Sequence, residues 1–315
     1  MYRVGLARGD KSYNTVKQAL ELIRDQITVP KDRPVLIKPN MVEPDVPLCA
    51  TPVEAVYATL EFFAGLGIDR FIIAEGTALA GGETMRAFRD YGYLTLQEKF
   101  NVEFRNLHED EKVVLEALNA HLDPVDIRLA KSLFTSYVVS VARMKTHVKV
   151  IATLSLKNIA IGAIHNPDRH SPPWHTIDPT QFSHLPRALT LSLARLAQAL
   201  PIHLAVIDGV VGMEGNGPVK GTPVQSGVAL AGTDALAVDL VGAELMGFDP
   251  RTIGYLWYLS QQRGLPREDV RVLGDDPTTC VTRYQACDML QELLAWWVPD
   301  WRNYLSGTYL RTPLS

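Results

Sequence analysis

Three lysines that stand beside strongly apolar sequence are the residues best suited to do chemistry in this chain. They are Lys38, Lys145 and Lys157. A lysine is rarely fully buried unless its charge is paired. Lysines that converge at such positions therefore need an anion, which can be a carboxylate, a phosphate or an acidic side chain. The alternative is that each side chain extends its ammonium group to the solvent. We favour convergence on an anion and predict that the three lysines bind a small one.

Amides and carboxylates occur in the same stretches as these lysines. Asn40, His147 and Asn158 add neutral hydrogen-bonding groups close to them in sequence. Glu75 and Asp208 each follow a predicted strand, where a carboxylate can pair with a lysine, bind magnesium or act as a base. We predict that His147, Glu75 and Asp208 move a proton, and that Asn40 and Asn158 help to hold the anion.

Some charged residues near these positions have a simpler interpretation. Arg143 and Lys149 flank Lys145, and for them we favour a position at the surface. Asp234 begins a predicted helix and is expected to cap it. Asp239 lies one turn inside that helix among apolar residues, so a buried carboxylate there would need a lysine or arginine partner. Because the spacings D-x-D and H-E-x-x-H do not occur, we predict no metal site.

Two glycine-rich segments could present backbone N–H groups to an anion. Gly76 and Gly81 frame the first, and Gly215 and Gly217 belong to the second. Neither segment satisfies the phosphate-binding or dinucleotide-binding fingerprint. Either can still offer N–H groups at a helix start. We include Gly215 and Gly217 among the predicted anion-binding residues.

The segment 165–184 is rich in histidine and proline. It contains four of each residue type. Even spacing in a loop does not bring metal ligands together as a helix would. A long polar loop next to Lys157 is better suited to cover a binding cleft. We therefore expect a lid over the site.

The order of secondary-structure patterns predicts the fold. Apolar runs typical of strands alternate with helical periodicity. The predicted strands are 3–7, 35–38, 71–74, 102–106, 137–142, 204–207 and 228–231. The predicted helices are 14–27, 51–66, 84–91, 187–200, 234–246, 252–262 and 284–297. This alternation favours an α/β fold with a mainly parallel sheet flanked by helices.

Ligands of open α/β sheets bind beyond the carboxyl ends of the strands, which is where the polar residues above occur.

The chain either forms one domain or divides into two lobes with a cleft between them. The lobes would be residues 1–125 and residues 126–315, and the second would carry the loop 165–184.

Composition excludes several classes of protein. The chain has 315 residues, and its 31 basic and 35 acidic residues give a formal net charge of −4. This balance argues against non-specific binding of nucleic acid. No apolar run reaches the length that spans a bilayer, so no membrane partner is expected. Three cysteines without a C-x-x-C spacing predict neither a disulfide framework nor an iron–sulfur cluster, and we expect a soluble protein of the cytoplasm.

The motifs in order resemble one known family. They are Lys38-Pro39-Asn40, Glu75-Gly76, Lys145-Thr146-His147, Ser155-Leu156-Lys157-Asn158, Asp208-Gly209, Glu214-Gly215-Asn216-Gly217-Pro218 and Asp234-Ala235-Leu236-Ala237-Val238-Asp239. Together they resemble the bacterial and archaeal domain-of-unknown-function 362 family over about residues 34–275. The resemblance implies a site built from those positions, but it implies no settled reaction or cofactor. Many relatives also carry a ferredoxin-like segment with four cysteines, which this sequence does not contain.

Three function classes follow from these observations. The leading hypothesis is an enzyme, an isomerase or oxidoreductase, that acts on a small anionic substrate or cofactor. The alternatives are a non-catalytic module that binds or delivers an anionic cofactor, and a redox-partner protein without its own iron–sulfur cluster. The aromatic residues Trp296, Trp297 and Trp301 near the C-terminus predict an ordered segment over 290–310 and favour a homodimer.

Overall fold

The computed structural model describes residues 1–78, 83–166, 168–169, 172–174, 185–307 and 309–311. The strands within these residues are β1 (Tyr2–Arg8), β2 (Val35–Pro39), β3 (Phe71–Glu75), β4 (Val102–Asn106), β5 (Lys112–Leu118), β6 (Pro124–Ala130), β7 (Tyr137–His147), β8 (Ile151–Thr153), β9 (Ile202–Asn216), β10 (Lys220–Gly232) and β11 (Val270–Gly274). The α-helices are α1 (Ser12–Glu21), α2 (Val53–Ala64), α3 (Glu83–Asp90), α4 (Ser132–Thr135), α5 (Ser155–Gly162), α6 (Leu185–Ala199), α7 (Ala235–Leu245), α8 (Gly254–Arg263), α9 (Leu290–Leu293) and α10 (Arg302–Leu305).

A large twisted sheet organises the molecule, and the predicted α/β fold is confirmed. The strand order is β11-β1-β10-β9-β7-β2-β3-β4, with β8 paired to β7. The run β9-β7-β2-β3-β4 is parallel throughout. Within the main strand order, β10 is the strand that runs antiparallel to its neighbours β9 and β1. The sheet is therefore mainly parallel, and the carboxyl ends of β2, β3 and β7 meet at one edge.

Both faces of this sheet are covered by apolar side chains, as strands buried on two sides require. On β2, Leu36 joins the core beneath α5, α6, α7 and α8, whereas Ile37 joins the core beneath α1 and α2. Strands from the two halves of the chain share one sheet, in which β1 of the first half lies between β11 and β10 of the second. The division of the chain at residue 125 stays a prediction.

Two hairpins differ from the sequence-based expectation. β5 and β6 form a separate antiparallel pair that the sequence patterns did not indicate. The stretch 212–218, expected as a loop, instead continues β9 into a long hairpin with β10, in which Asn216 pairs with Lys220 and Gly215 with Gly221. Cross-strand pairing holds residues 212–216 in this hairpin, with Gly215 at a positive φ of 75°, a tertiary effect that local composition does not encode.

The C-terminal segment packs on the core, as predicted, but it is not the long helix expected over 284–297. Its α-helical part is α9, and Ala295 departs from helical geometry. The Trp296 indole donates from Nε1 to the Thr252 carbonyl at 2.8 Å and lies against Gly254, where a Cβ would be 2.5 Å from the ring. The aromatic contacts with α8 thus set the path of this segment. Trp297, by contrast, is 52% exposed.

In the part of the chain described here, the helices are too short or too polar for any of them to span a bilayer.

Candidate functional site

A buried ion pair lies at the sheet edge where β2 and β3 end. Lys38 Nζ is 2.9 Å from Glu75 Oε2, and both side chains are fully buried. Glu75 also accepts the backbone N–H of Met41 at 2.6 Å and the N–H of Gly76. Burial lowers the pKa of Lys38 to about 8, although the Glu75 carboxylate acts in the opposite direction. Both oxygens of Glu75 are thus engaged within the protein.

Asn158 connects this ion pair to helix α5. Its Oδ1 accepts from Lys38 Nζ at 3.3 Å and from Asn40 Nδ2 at 3.1 Å. Its Nδ2 donates to the Lys38 carbonyl and to Ser140 Oγ, each at 3.1 Å. The amide therefore uses both of its donors and both lone pairs of its acceptor. This saturation fixes α5 against β2 and β7.

The close approach of α5 also needs the glycine at its last position. A Cβ on Gly162 would lie 2.6 Å from Lys38 Cε and closer still to Nζ. A side chain here would displace the ammonium group from Glu75. Gly162 is therefore part of the geometry that seats Lys38.

Lys145 reaches the same region from the end of β7. Its ammonium donates to Asn40 Oδ1 and to the Cys49 carbonyl, which are both neutral acceptors. Burial lowers the pKa of Lys145 to about 7. Asn40 thus lies between Lys145 and Asn158, and a continuous hydrogen-bonded chain joins the two buried lysines.

Asp239 on α7 holds the start of α5. Its two carboxylate oxygens accept the backbone N–H groups of Ser155 at 2.8 Å and Leu156 at 2.9 Å. The expected lysine or arginine partner was wrong, because the unpaired N–H groups of a helix start take that role. Burial raises the pKa of Asp239 to about 8. Asp234 caps its own helix as predicted, accepting from the Ala237 N–H at 2.9 Å.

Beside this network lies a cavity of about 310 Å³. Its polar lining consists of Asn40, Glu43, His147, Lys149, Lys157, Asn158 and Arg169, together with Thr153. Its apolar lining includes Val42, Val148, Ile161, Ile164, Trp174, Leu189 and Val219. Small-molecule sites have this combination of apolar walls and a few polar groups.

Lys157 is the most unusual residue of the cavity. Its side chain is 8% exposed, and no hydrogen bond or ion pair joins it to another described residue. The charges that act on it most strongly are positive and come from Lys145, Arg169, Lys149 and Lys38. Burial is the largest cause and, together with these charges, it holds the pKa of Lys157 well below its usual range. An anion in the cavity would supply the missing negative charge.

His147 lies beside Lys157 as a neutral ring. Its Nδ1 accepts the backbone N–H of Lys149 at 3.0 Å, which leaves the ring proton on Nε2. Burial and then the Lys157 charge hold its pKa well below the usual range. The ring can therefore donate a hydrogen bond from Nε2 while it carries no charge.

The structure adds residues that the sequence patterns had not indicated. Arg169 lines the cavity and donates to the carbonyls of Gly76 and Gly162, the latter at 3.2 Å. Lys149 lines the cavity instead of lying at the outer surface. Arg143 is also buried, and its Nη1 donates to the carbonyls of Pro47 and Leu48. The expected surface positions were therefore wrong. Backbone carbonyls bind the Arg143 guanidinium inside the protein, and Lys149 is one of the residues that enclose the cavity.

Asp208 lies apart from the lysines. Its Oδ2 accepts from Ser12 Oγ at 2.9 Å, and its Oδ1 accepts from the Val210 N–H at 3.0 Å. Its strand position is opposite Arg143 in the pairing of β9 with β7. Burial raises its pKa. The structure thus brings Glu75 to the lysines but does not bring Asp208 there.

The glycines predicted to bind the anion have their N–H groups engaged already. Gly215 donates to the Gln285 carbonyl at 2.8 Å, and Gly217 donates to the Gly215 carbonyl at 2.9 Å. They belong to the β9–β10 hairpin and its turn, so the expected helix start was wrong. Gly81 lies outside the described residues.

The predicted lid falls only partly within the described residues. His165 is buried, with Nε2 3.1 Å from the Asp110 carbonyl, while Arg169 and Trp174 line the cavity. His170, His175 and His184 lie outside the described part of the chain. Among the residues that are described, no group of three or more His, Cys, Asp or Glu side chains could hold a metal ion.

Comparison with known proteins identifies relatives. The family described as "Domain of unknown function (DUF362)" matches residues 35–244. A thylakoid-associated protein from Synechocystis sp. is 27% identical over 230 residues, which cover 71% of this chain and 66% of that protein. A crystal structure of a protein from Thermotoga maritima aligns over 81% of this chain and 60% of that one, with 14% identity and a TM-score of 0.44. The chain thus spans just under two thirds of the length of each.

Proposed function

The chain belongs to the DUF362 family, and we propose that it is an enzyme that binds a small carboxylate or phosphate in the cavity beside α5. The observation that carries the proposal is Lys157, a cation 8% exposed with no negative partner among the described residues. Keeping an uncompensated charge out of water is costly. A protein retains such a group when a ligand supplies the opposite charge.

The proposed roles follow from the contacts of each group. Lys157, Lys149 and Arg169 would hold the anion, with Asn40 and Asn158 positioned by their mutual hydrogen bond. His147 would donate a hydrogen bond or a proton from Nε2. Since burial lowers the pKa of Lys157, its neutral amine, which can accept a proton, is populated at a lower pH than that of an exposed lysine. This lysine and histidine pair favours acid–base chemistry, such as that of an isomerase.

Ligand binding should be coupled to proton uptake. An anion beside Lys157 raises the pKa of this lysine, so ligand binding takes up protons in the pH range where Lys157 of the unliganded protein titrates. Calorimetric titration in two buffers with different ionisation enthalpies measures this uptake. Binding heats that do not depend on the buffer would contradict the proposed role of Lys157.

The first test is binding with a matched pair of variants. Thermal unfolding is measured with a panel of small carboxylates and phosphates for the wild type, Lys157→Met and Lys131→Met. Lys131 pairs with Glu111 near the surface at 2.9 Å and serves as the control. We expect a ligand-dependent rise in Tm for the wild type and the control and its loss in Lys157→Met. At a ligand concentration of 100 Kd the stabilisation is about 2.7 kcal/mol. A rise that is unchanged in Lys157→Met would refute the proposal.

A binding or delivery module is the second candidate. The observation in its favour is that Glu75 and Asp208 both have their oxygens engaged by the protein and do not line the cavity. The two functions differ in D₂O, where an isomerase exchanges a carbon-bound proton of its ligand. Proton NMR of a bound ligand that retains all its C–H signals would favour the module.

For localisation and assembly we propose the cytoplasm and a homodimer. Trp297 in the C-terminal segment is exposed and offers a large aromatic surface for a second copy. Sedimentation of the wild type and of Trp297→Glu tests the dimer. Identical sedimentation of the two proteins as monomers would count against it.

A further inference from the structure

The charged lining of the cavity is not of one sign. Lys149, Lys157 and Arg169 are cations, and Glu43 is the carboxylate among the described lining residues. Glu43 and Val42 belong to the segment that follows β2, whereas Lys149 and Lys157 lie on the segment from β7 into α5. The negative charge of Glu43 and the positive charges of Lys149 and Lys157 therefore come from different segments of the cavity lining.

The main chain of Glu43 is held in place, whereas its carboxylate is not paired. The Glu43 carbonyl accepts from the Tyr91 hydroxyl, and its N–H lies 3.4 Å from Cys49 Sγ. No salt bridge or side-chain hydrogen bond engages the carboxylate within the described residues. Glu43 is half-buried and is one of the residues that line the cavity.

The carboxylate does not compensate Lys157. The strongest charge effects on that lysine are all positive and Glu43 is not among them, and no salt bridge joins the two side chains. Two unpaired charges of opposite sign thus line one small cavity. A ligand that carries only a negative charge would pair with the cations, but it would be repelled by the Glu43 carboxylate.

We propose that the ligand is a small acid that also carries an amino or hydroxyl group, with the donor bound by Glu43 and the acid group bound by Lys157 and Arg169. This inference rests on the proposed function and narrows its substrate class. Ile161, Trp174 and Leu189 would contact the remaining apolar part of the ligand. A cavity of about 310 Å³ lies at the small end of the range of about 300–1,000 Å³ that ligand pockets have, which suits a compact amino or hydroxy acid.

Matched ligands test the role of the donor group. The first set is propionate, lactate and alanine, the second is 3-phenylpropionate, phenyllactate and phenylalanine, and the third is ethyl phosphate and 2-aminoethyl phosphate. Calorimetry measures Kd for each with the wild type, Glu43→Gln and the surface control Glu103→Gln. In at least one set we expect the donor-bearing ligand to bind about ten-fold more tightly or better.

The variant separates the two kinds of donor. In Glu43→Gln the advantage of an ammonium group should fall to less than about two-fold, since the negative charge is lost. A hydroxyl group should keep part of its advantage, because the Gln carbonyl still accepts a hydrogen bond. Glu103→Gln should leave every ratio unchanged.

The outcomes distinguish this inference from the proposed function. Equal binding of plain and donor-bearing ligands, all lost in Lys157→Met, would overturn the inference and leave the proposed function standing. A donor advantage that persists in full in Glu43→Gln would also overturn it. Binding by no member of any set would overturn both.

Discussion

Lys38 and Lys157 are two buried lysines at the same sheet edge, and they differ in what surrounds them. Lys38 has a carboxylate 2.9 Å away and a saturated amide beside it. Lys157 has positive neighbours and an open cavity. Since the fold completes the charge balance at Lys38 and leaves it incomplete at Lys157, we propose that the first lysine positions the site and that the second binds the ligand.

The same comparison explains why Asn158 is shared. Its amide holds Lys38 and Asn40 through four hydrogen bonds, while the preceding residue in α5 is Lys157. A shift of the Lys38–Glu75 ion pair would therefore move the helix that carries Lys157. The hydrogen bonds of Asn158 thus help to hold Lys157 in its position at the cavity.

Breaking the balanced side should have the largest effect. Glu75→Gln leaves Lys38 buried without a counter-charge, and removal of one partner of a buried pair costs about 3–5 kcal/mol. We expect a loss of that size in the free energy of unfolding, measured by urea denaturation at pH 7. The loss should shrink as the pH rises towards 8, because Lys38 without the Glu75 charge releases its proton at a lower pH than in the wild type, where its pKa is about 8.

The control for this prediction removes both charges. Lys38→Met combined with Glu75→Gln leaves no unpaired ion, so the double variant should be more stable than Glu75→Gln alone. A double variant that is less stable by the sum of the two single losses would show that the ion pair is not the cause.

Removing the unpaired Lys157 should raise the free energy of unfolding, whereas breaking the Lys38–Glu75 pair lowers it. Lys157→Met replaces a buried amino group without a counter-charge by an apolar side chain of similar length, which removes the cost of keeping that charge out of water. We expect a higher urea midpoint without ligand. The gain should diminish as the pH rises, because the folded wild type then loses the Lys157 proton while the unfolded chain keeps it up to about 10.4. A lower midpoint at neutral pH would mean that Lys157 has a stabilising partner in the protein.

The packing between the two sides can be tested at the end of α5. Gly162→Ala places a methyl group 2.6 Å from Lys38 Cε, and overpacking of this kind costs about 1–3 kcal/mol. Gly65→Ala is the matched control, since its nearest neighbour would be 3.3 Å away at a helix end. We expect reduced stability and weaker anion binding in Gly162→Ala only. Equal urea midpoints for the two variants would contradict the close approach.

The sequence predicted the parts of the site that follow directly from strand ends. Lys38, Glu75 and Lys145 lie together because β2, β3 and β7 are parallel and adjacent. Thr51 shows why other parts could not be predicted. Its position favours a helix cap, but its hydroxyl donates to the Val141 carbonyl at 2.7 Å and accepts the Asn40 N–H at 2.9 Å. Those partners are distant in sequence, and local patterns carry no information about them.

Asp239 offers the most specific prediction, because it concerns the titration of a single group. Burial raises its pKa to about 8 in the folded protein, against about 3.9 in the unfolded chain. Between these values the folded state retains a proton that the unfolded chain has released. The contribution of this group to stability therefore falls as the pH rises from about 5 to 8. Asp239→Asn cannot titrate, so the stability difference between wild type and variant should decline over that window.

The measurement is urea denaturation of both proteins at pH 5, 6, 7 and 8, and the subtraction cancels all groups that the two share. Asp249→Asn is the control, since Asp249 also accepts a helical N–H but the Arg251 guanidinium lowers its pKa. Its difference curve should be flat over the same window. If the Asp239 curve is flat too, the N–H groups of Ser155 and Leu156 hold the carboxylate charged in spite of burial. The Asp239 carboxylate and its N–H donors would then form a compensated pair, as Lys38 and Glu75 do. Uncompensated charge at this edge of the sheet would be confined to the cavity.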